Sequence, residues 1–265
     1  MYKIISNLRN VAAIAVCLVV IVFASCKKDA DNIPVFLLEE VQESTARYVF
    51  EYDEQNRMTK RTGYLVNGFG EWYQFIVHEL KYNTAGNLEE YIYYENNSNV
   101  SKVTIHKDGD KFTLSDDTYP TDVSFIELNA QGLPEKCTSL IGVKGNGSWS
   151  FDTRTYTWLN GNLTQLSLVQ EWKYGGKEDT WSDTYTYTFD DKKSPFYYCT
   201  TPKWILLRLV GTYYSFNDNN ITSDKQGSYD YETTYEYTYN DYGFPVTQTY
   251  SYTNTTTYTY KKIEK

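Results

Sequence analysis

The sequence predicts an all-β protein: a long antiparallel up-and-down meander of repeated hairpins in a twisted or curled sheet, with partial closure allowed and a short helix or plug near 197–211. Three observations predict it. The chain holds 28 Tyr, 12 Phe and 6 Trp against 2 Met and 2 His, and aromatic and β-branched residues favour pleated, half-buried surfaces. They also alternate. Tyr185, Tyr187 and Phe189 share one face while Thr184, Thr186 and Thr188 share the other, and Tyr235, Tyr237 and Tyr239 alternate with Glu236 and Thr238. Period two is the signature of a strand. Finally, one turn motif recurs along the chain, and an internal repeat of this kind sets the architecture.

The N-terminal segment stands apart. Lys3 and Arg9 precede an apolar stretch from Val11 to Phe23, and Ala24 and Ser25 lead into Cys26. A cleaved secretory signal has this three-part form. A membrane-spanning helix needs about 17 to 25 apolar residues, more than this run supplies before Lys27, Lys28 and Asp29. Phe23-Ala24-Ser25-Cys26 resembles the lipobox of bacterial lipoproteins, which implies a cysteine acylated at its thiol and left as the new N-terminus. Each buried acyl methylene contributes roughly 0.8 kcal/mol, and stable anchoring takes more than one chain. Residues 1–25 therefore read as a lipoprotein signal peptide, 26–40 as a lipidated tether and 41–265 as the β-hairpin-repeat domain. Lys27-Lys28-Asp29-Ala30-Asp31 is similar to the surface-export signal of Bacteroidetes lipoproteins.

From Val41 onward, an aromatic or aliphatic strand runs into an Asp or Asn turn, and an apolar residue opens the return strand. Copies are Tyr52-Asp53-Glu54-Gln55-Asn56-Arg57-Met58, Tyr82-Asn83-Thr84-Ala85-Gly86-Asn87-Leu88 and Leu128-Asn129-Ala130-Gln131-Gly132-Leu133. Others are His106 to Phe112, Trp158-Leu159-Asn160-Gly161-Asn162-Leu163, Phe189-Asp190-Asp191 and Tyr239-Asn240-Asp241-Tyr242-Gly243-Phe244. Asp, Asn and Gly suit tight hairpins because they tolerate positive φ and bond the local backbone. Seven turns imply about fourteen strands at two per hairpin. Trp72, Trp149 and Tyr229 each stand 11 residues before a turn Asn, and Trp181 stands 9 before Asp190, a strand's length bridging two sheet edges.

One segment breaks the alternation. Between Pro195 and Thr212 the apolar run Trp204-Ile205-Leu206-Leu207-Arg208-Leu209 reads as a short helix or plug near 197–211.

The Tyr-Asp and Tyr-Asn turns resemble the YD repeats of Rhs-type proteins, whose hairpins build a spiralling sheet. Lys193-Ser194-Pro195-Phe196-Tyr197, Asn219-Asn220-Ile221-Thr222 and Tyr237 to Pro245 are similar to an uncharacterised family of Bacteroidetes lipoproteins with a domain of unknown function. The likeness runs from about Val41 to the C-terminus. It implies the hairpin architecture and brings no catalytic residues, and the turns at Asp108 and Asp190 depart from the YD pattern.

Composition narrows the partners. Loss of Lys3 and Arg9 with the signal takes the net charge from −9 to −11, a poor match for phosphate backbones, so nucleic acid is not expected. The 240 residues left after removing the first 25 of 265 are enough for a sizeable core. Cys137 and Cys199 remain, either as a disulfide or as two buried thiols.

Candidate chemistry is sparse. Only His78 and His106 are available as bases, one alternating with Leu80 and Tyr82 in a strand and one beside a turn, so ordinary structural roles are expected. No His/Cys cluster has zinc spacing, and no cofactor motif is present. Asp116-Asp117 and Asp190-Asp191 read as solvated turn acids rather than a glycosidase pair. Asp218, Asn220, Thr222 and Asp224 alternate like a calcium loop without its glycine and terminal Glu. Trp72, Trp149 and Trp181 are the sharper candidates. Exposed, they would stack on sugar rings or apolar peptide; buried, they would close the core.

These readings lead to a noncatalytic protein, lipid-anchored through Cys26 at the outer membrane and exposed at the cell surface, with a periplasm-facing orientation as the alternative, for binding, adhesion or envelope structure. Its expected partners are the membrane and a glycan or surface protein. Two alternatives stay open: a glycan-acting hydrolase using Asp or Glu carboxylates, and an outer-membrane β-barrel, which the strand number and aromatics permit. Thr, Glu and Lys on the alternate faces and a mean hydropathy of −0.58 fit water better.

Overall fold

The computed structural model describes residues 34–95, 99–118, 123–141, 148–210, 216–229, 231–250 and 254–264. Cys26 and the lipobox lie outside them. The chain divides into two compact units, Met1–Phe36 with Lys262–Lys265, and Leu37–Lys261. Of the first, the described residues are short extended stretches. The second carries the fold.

The described residues form sixteen strands and one helix. They are β1 Val35–Gln42, β2 Ala46–Tyr52, β3 Met58–Val66, β4 Trp72–Tyr82, β5 Leu88–Glu95, β6 Asn99–Asp108, β7 Lys111–Asp116 and β8 Val123–Leu128. There follow β9 Pro134–Ile141, β10 Trp149–Leu159, β11 Asn162–Tyr174, β12 Lys177–Lys193, α1 Lys203–Val210, β13 Asn219–Gln226, β14 Tyr231–Tyr239, β15 Pro245–Tyr250 and β16 Asn254–Ile263. Each strand pairs with the next, and β1 lies beside β16, so the meander closes into a barrel. All-β hairpin repetition and the short helix are as the sequence predicts. Two strands exceed the hairpin count because β1 begins inside the stretch read as tether and β16 follows the last turn.

The repeated turn has one chemistry. Asp53 Oδ1 accepts from the N–H groups of Gln55 and Arg57 at 2.9 Å each. Asn83 does the same for Ala85 and Asn87 at 3.0 Å each, Asn129 for Gln131 and Leu133, and Asn240 for Tyr242 and Phe244. The residue three places on has positive φ: Asn56 at 63° and Gly86 at 82°. A type I turn followed by such a residue makes a bulged hairpin, and the register shifts at Glu51/Tyr52 and Lys81/Tyr82. The extra residue keeps both Tyr52 and Met58 facing the interior, where alternation alone would turn one of them out.

Phe189-Asp190-Asp191 is the exception. No tight turn forms there; β12 continues to Lys193, and the segment carrying α1 is inserted before β13. Asp190 keeps the turn chemistry across the insertion, accepting from the N–H of Lys192 and of Asn220 at 3.0 Å each.

The insertion plugs the barrel at its tight-turn end. Thr200 N–H donates to Asn56 O at 3.0 Å, Met58 N–H to Thr201 Oγ1 at 2.6 Å, and Lys203 Nζ to Gly161 O and Asp218 Oδ1 at 2.9 and 2.8 Å. From α1, Trp204, Ile205, Leu206 and Leu209 are buried with Met58, Leu80, Phe112 and Leu163 in one apolar core. The ring centroids of Trp204 and Phe112 are 4.7 Å apart.

Candidate functional site

Above the plug the interior turns polar. On β10 the inward parity reads Trp158, Tyr156, Arg154, Asp152, from the turn end toward the longer loops. On β4 it reads Tyr82, Leu80, His78, Ile76. Between them lies a cavity of 470 Å³. One wall is Ile76, His78, Tyr91 and Tyr93 from β4 and β5. Another is Ile126, Cys137, Ser139, Arg154 and Tyr156 from β8 to β10, and α1 supplies the floor with Trp204, Leu207 and Arg208. Arg154 and Arg208 are both exposed, so the cavity meets solvent.

Its electrostatics follow from burial and the arginines. His78 Nδ1 and the Tyr91 hydroxyl share a hydrogen bond of 2.7 Å, with the rings stacked at 5.7 Å. Burial first, then the charges of Arg61 and Arg208, pull the His78 pKa down to about 3, so the imidazole is neutral near pH 7. Burial pushes Tyr91 up to about 12 despite Arg208 and Arg61 nearby. Burial likewise raises the Cys137 thiol, with Arg154 and Arg208 acting weakly against it. Near the cavity, Arg154 Nη2 lies 3.7 Å from the buried Asp152, whose other oxygen accepts from Gln170 Nε2 at 3.0 Å. Tyr93 donates to Asp116 at 3.0 Å.

The histidine in the cavity is neutral and hydrogen-bonded to a tyrosine, and Ser139 and the Cys137 thiol, raised by burial, line the same cavity.

The other sequence candidates are placed apart from this cavity and from one another. Trp72 and Trp149 open β4 and β10 on the outer parity, Trp72 pairing with Val66 and Trp149 with Lys173. Trp181 faces Gln170 on the inner parity of β12. The three do not form one row, because β4 is not adjacent to β10 and alternation sends Trp181 inward. Arg47 covers the rings of Tyr64 and Trp72 at 4.6 and 5.5 Å, a packing role for that tryptophan.

Cys137 and Cys199 are free thiols; one lines the cavity, and the other lies in the inserted segment. Asp117 accepts from the N–H of Lys102 and Asp191 pairs with Lys192 at 3.1 Å, while Asp116 ends β7 buried rather than solvated, because its carboxylate turns inward to accept from Tyr93. Asp218 accepts from Lys203 and Asp224 from Tyr235, whereas Asn220 donates its backbone N–H and its Nδ2 to Asp190 and its buried Oδ1 has no hydrogen-bond partner among the described residues. Among the described residues no three His, Cys, Asp or Glu side chains gather as metal ligands. His106 pairs with Thr113 on the outer face.

Arg154 and Arg208 escaped the sequence reading. Both had a signal: Arg208 is the lone charge in the apolar run of α1, and Arg154 shares the parity of inward Tyr156.

No family model matches the chain, and no curated protein is detectably similar in sequence. Among solved structures, a porin-like protein from Bacteroides uniformis ATCC 8492 is 17% identical over 85% of this chain and 98% of its own, at a TM-score of 0.36. A porin-like protein from Bacteroides vulgatus ATCC 8482 is 11% identical over 77% of this chain and 98% of its own, at 0.33. With TM-scores this low, the barrel rests on the strand pairing of this chain itself.

Proposed function

We propose that the chain is a noncatalytic envelope protein, held at a membrane through lipid on Cys26, whose barrel stands in water and takes a small ligand into its inner cavity. The observation that carries this reading is the outer wall from β12 to β16. Its outward positions are Thr180, Ser182, Thr184, Thr186 and Thr188, then Ser223 and Lys225, Glu232, Thr234, Glu236 and Thr238, Thr247 and Thr249, and Thr255 and Thr257, as their pairing shows. Elsewhere charges alternate across neighbours, Glu51 facing Lys60 and Lys60 facing Glu79, and Lys111 facing Glu127 and Glu127 facing Lys136. A lipid-facing wall carries an apolar band about 25 Å tall, and a Lys at its middle costs roughly 2–4 kcal/mol.

A second reading, an outer-membrane barrel, is favoured by closure itself: sixteen antiparallel strands without a free edge is an architecture that spans outer membranes. Both readings place the chain in the envelope and differ in what the outer wall touches. Release of residues 27–265 from its signal decides between them. A monodisperse species in detergent-free buffer with a native β spectrum is expected, and a strict requirement for detergent would favour the spanning barrel. Palmitate labelling lost in Cys26→Ala tests the anchor.

A further inference from the structure

The cavity carries more than a volume. This is an acidic chain, with 34 Asp and Glu against 25 Lys and Arg, yet among the described residues lining the cavity there are two arginines and no carboxylate. Arg154 has a partial counter-charge in Asp152 at 3.7 Å. Arg208 has none: among the described residues no carboxylate lies within ion-pair distance of it, and its polar neighbour is the Tyr91 hydroxyl. Arg61, buried on β3 and paired in register with His78, adds to the positive potential. The nearby histidine is neutral, so it offers a fixed hydrogen-bonding group to a ligand and no charge.

The remaining walls divide by chemistry. Ile76, Ile126, Trp204 and Leu207 are apolar, while Tyr91, Tyr156 and Ser139 present hydroxyls. A guanidinium presents a planar fork that fits a carboxylate two bonds at a time. In a partly desolvated site its attraction for an anion exceeds what water allows. A neutral sugar would leave the Arg208 fork without an anionic partner, and a cation would be repelled.

We infer that the cavity is a binding site for an organic carboxylate, its head held by Arg208 and Arg154 and its apolar body resting on Trp204, Leu207, Ile76 and Ile126. This rests on, and deepens, the reading of the barrel as a binding protein. It requires no covalent step. The ligand enters from the loop end, since α1 and its tethers close the other.

The test uses the full chain and matched probes: a series of straight-chain and aryl carboxylates, each with its primary amide, titrated by calorimetry. Acids are expected to bind at least tenfold tighter than their amides. Arg208→Gln is expected to remove that preference while leaving thermal unfolding unchanged, and Arg208→Lys to keep part of it because charge survives without the fork. Arg154→Gln is expected to weaken acids less, since Asp152 already offsets that charge. Equal binding of acid and amide, or a preference untouched by Arg208→Gln, would overturn the carboxylate and leave a cavity that binds neutral molecules. If neither series bound, the carboxylate and the cavity-binding reading would both fall.

Discussion

The hydroxyl of Tyr82, the last residue of β4, donates to the carbonyl of Met58, the first residue of β3, at 3.0 Å. The same reach joins Tyr52 to Leu38 at 2.8 Å, Trp158 to Pro134 and Tyr260 to Pro245 at 2.8 Å. Tyr52, Tyr82 and Trp158, each just before a turn, and Tyr260 in β16 thus pack their rings against the core and tie back to an earlier strand with their polar tips, a use for Tyr or Trp that Phe could not serve. Tyr82→Phe should cost about 1–2 kcal/mol, the range for a part-buried carbonyl losing its donor. The shift in urea midpoint at unchanged slope measures it.

The Asx turn makes a second prediction. Asn83→Ala removes the acceptor of two N–H groups and should cost about 1 kcal/mol, as loss of a comparable side-chain cap does. Gly86→Ala should cost at least as much, because φ of 82° strains any residue with a Cβ. A built Cβ there meets only the flexible end of Arg57 at 3.3 Å, so the penalty is backbone strain. Denaturation of the two single variants and their double tests whether both act within one turn, where their effects need not add.

Stability should also respond to His78. Its pKa falls to about 3 on folding, through burial and then the neighbouring Arg61 and Arg208, whereas the unfolded chain titrates near 6.5. Between these values the unfolded state binds the extra proton, so this residue's contribution to stability rises with pH across that window. It is complete above about 6.5 and lost progressively as pH falls toward 3. Its slope approaches about 1.4 kcal/mol per pH unit for a single proton. His78→Gln retains a hydrogen-bonding group for Tyr91 and should flatten the dependence between pH 6.5 and 5, above the range where carboxylates dominate. Denaturant unfolding at several pH values shows it.

The two thiols should stay reduced and differ in access. Burial raises both Cys137 and Cys199, so both react slowly at neutral pH. Cys137 lines a cavity that meets solvent, and a small uncharged alkylating reagent should reach it first. Mass spectrometry of timed labelling is expected to show one adduct well before the second, and a disulfide-linked tryptic pair would contradict this.

Much of the hairpin chemistry was legible. Asp53, Asn83, Asn129 and Asn240 announce their turns because the side chain that bonds the local backbone is itself the sequence signal. Inward parity was legible too, from Tyr185 to Tyr239. What escaped was pairing between residues far apart in the chain. Counting two strands per turn omits β1 and β16, whose mutual neighbourhood exists only through closure. The hairpin at Asp190 was misread because an inserted segment leaves the flanking strand pattern intact. The cavity was hidden for the same reason: alternation says that His78 and Arg154 turn away from the outer wall, but not that they turn toward one another or toward Arg208 on the inserted helix.

Closure also sets a timetable. Fifteen of the sixteen neighbouring strand pairs join segments that are consecutive in sequence, and such local pairings form early because little chain entropy is lost in bringing them together. The seam between β1 and β16 is different, for it unites strands from opposite ends of the domain and has to wait until the final strand is available to pair. Until then the half-built cylinder presents two raw margins, each a template for another copy in the same state. A chain stopped before Asn254 would keep nearly all its hairpins and lose the stitch that makes it solitary, and its characteristic failure would be intermolecular lacing rather than unfolding.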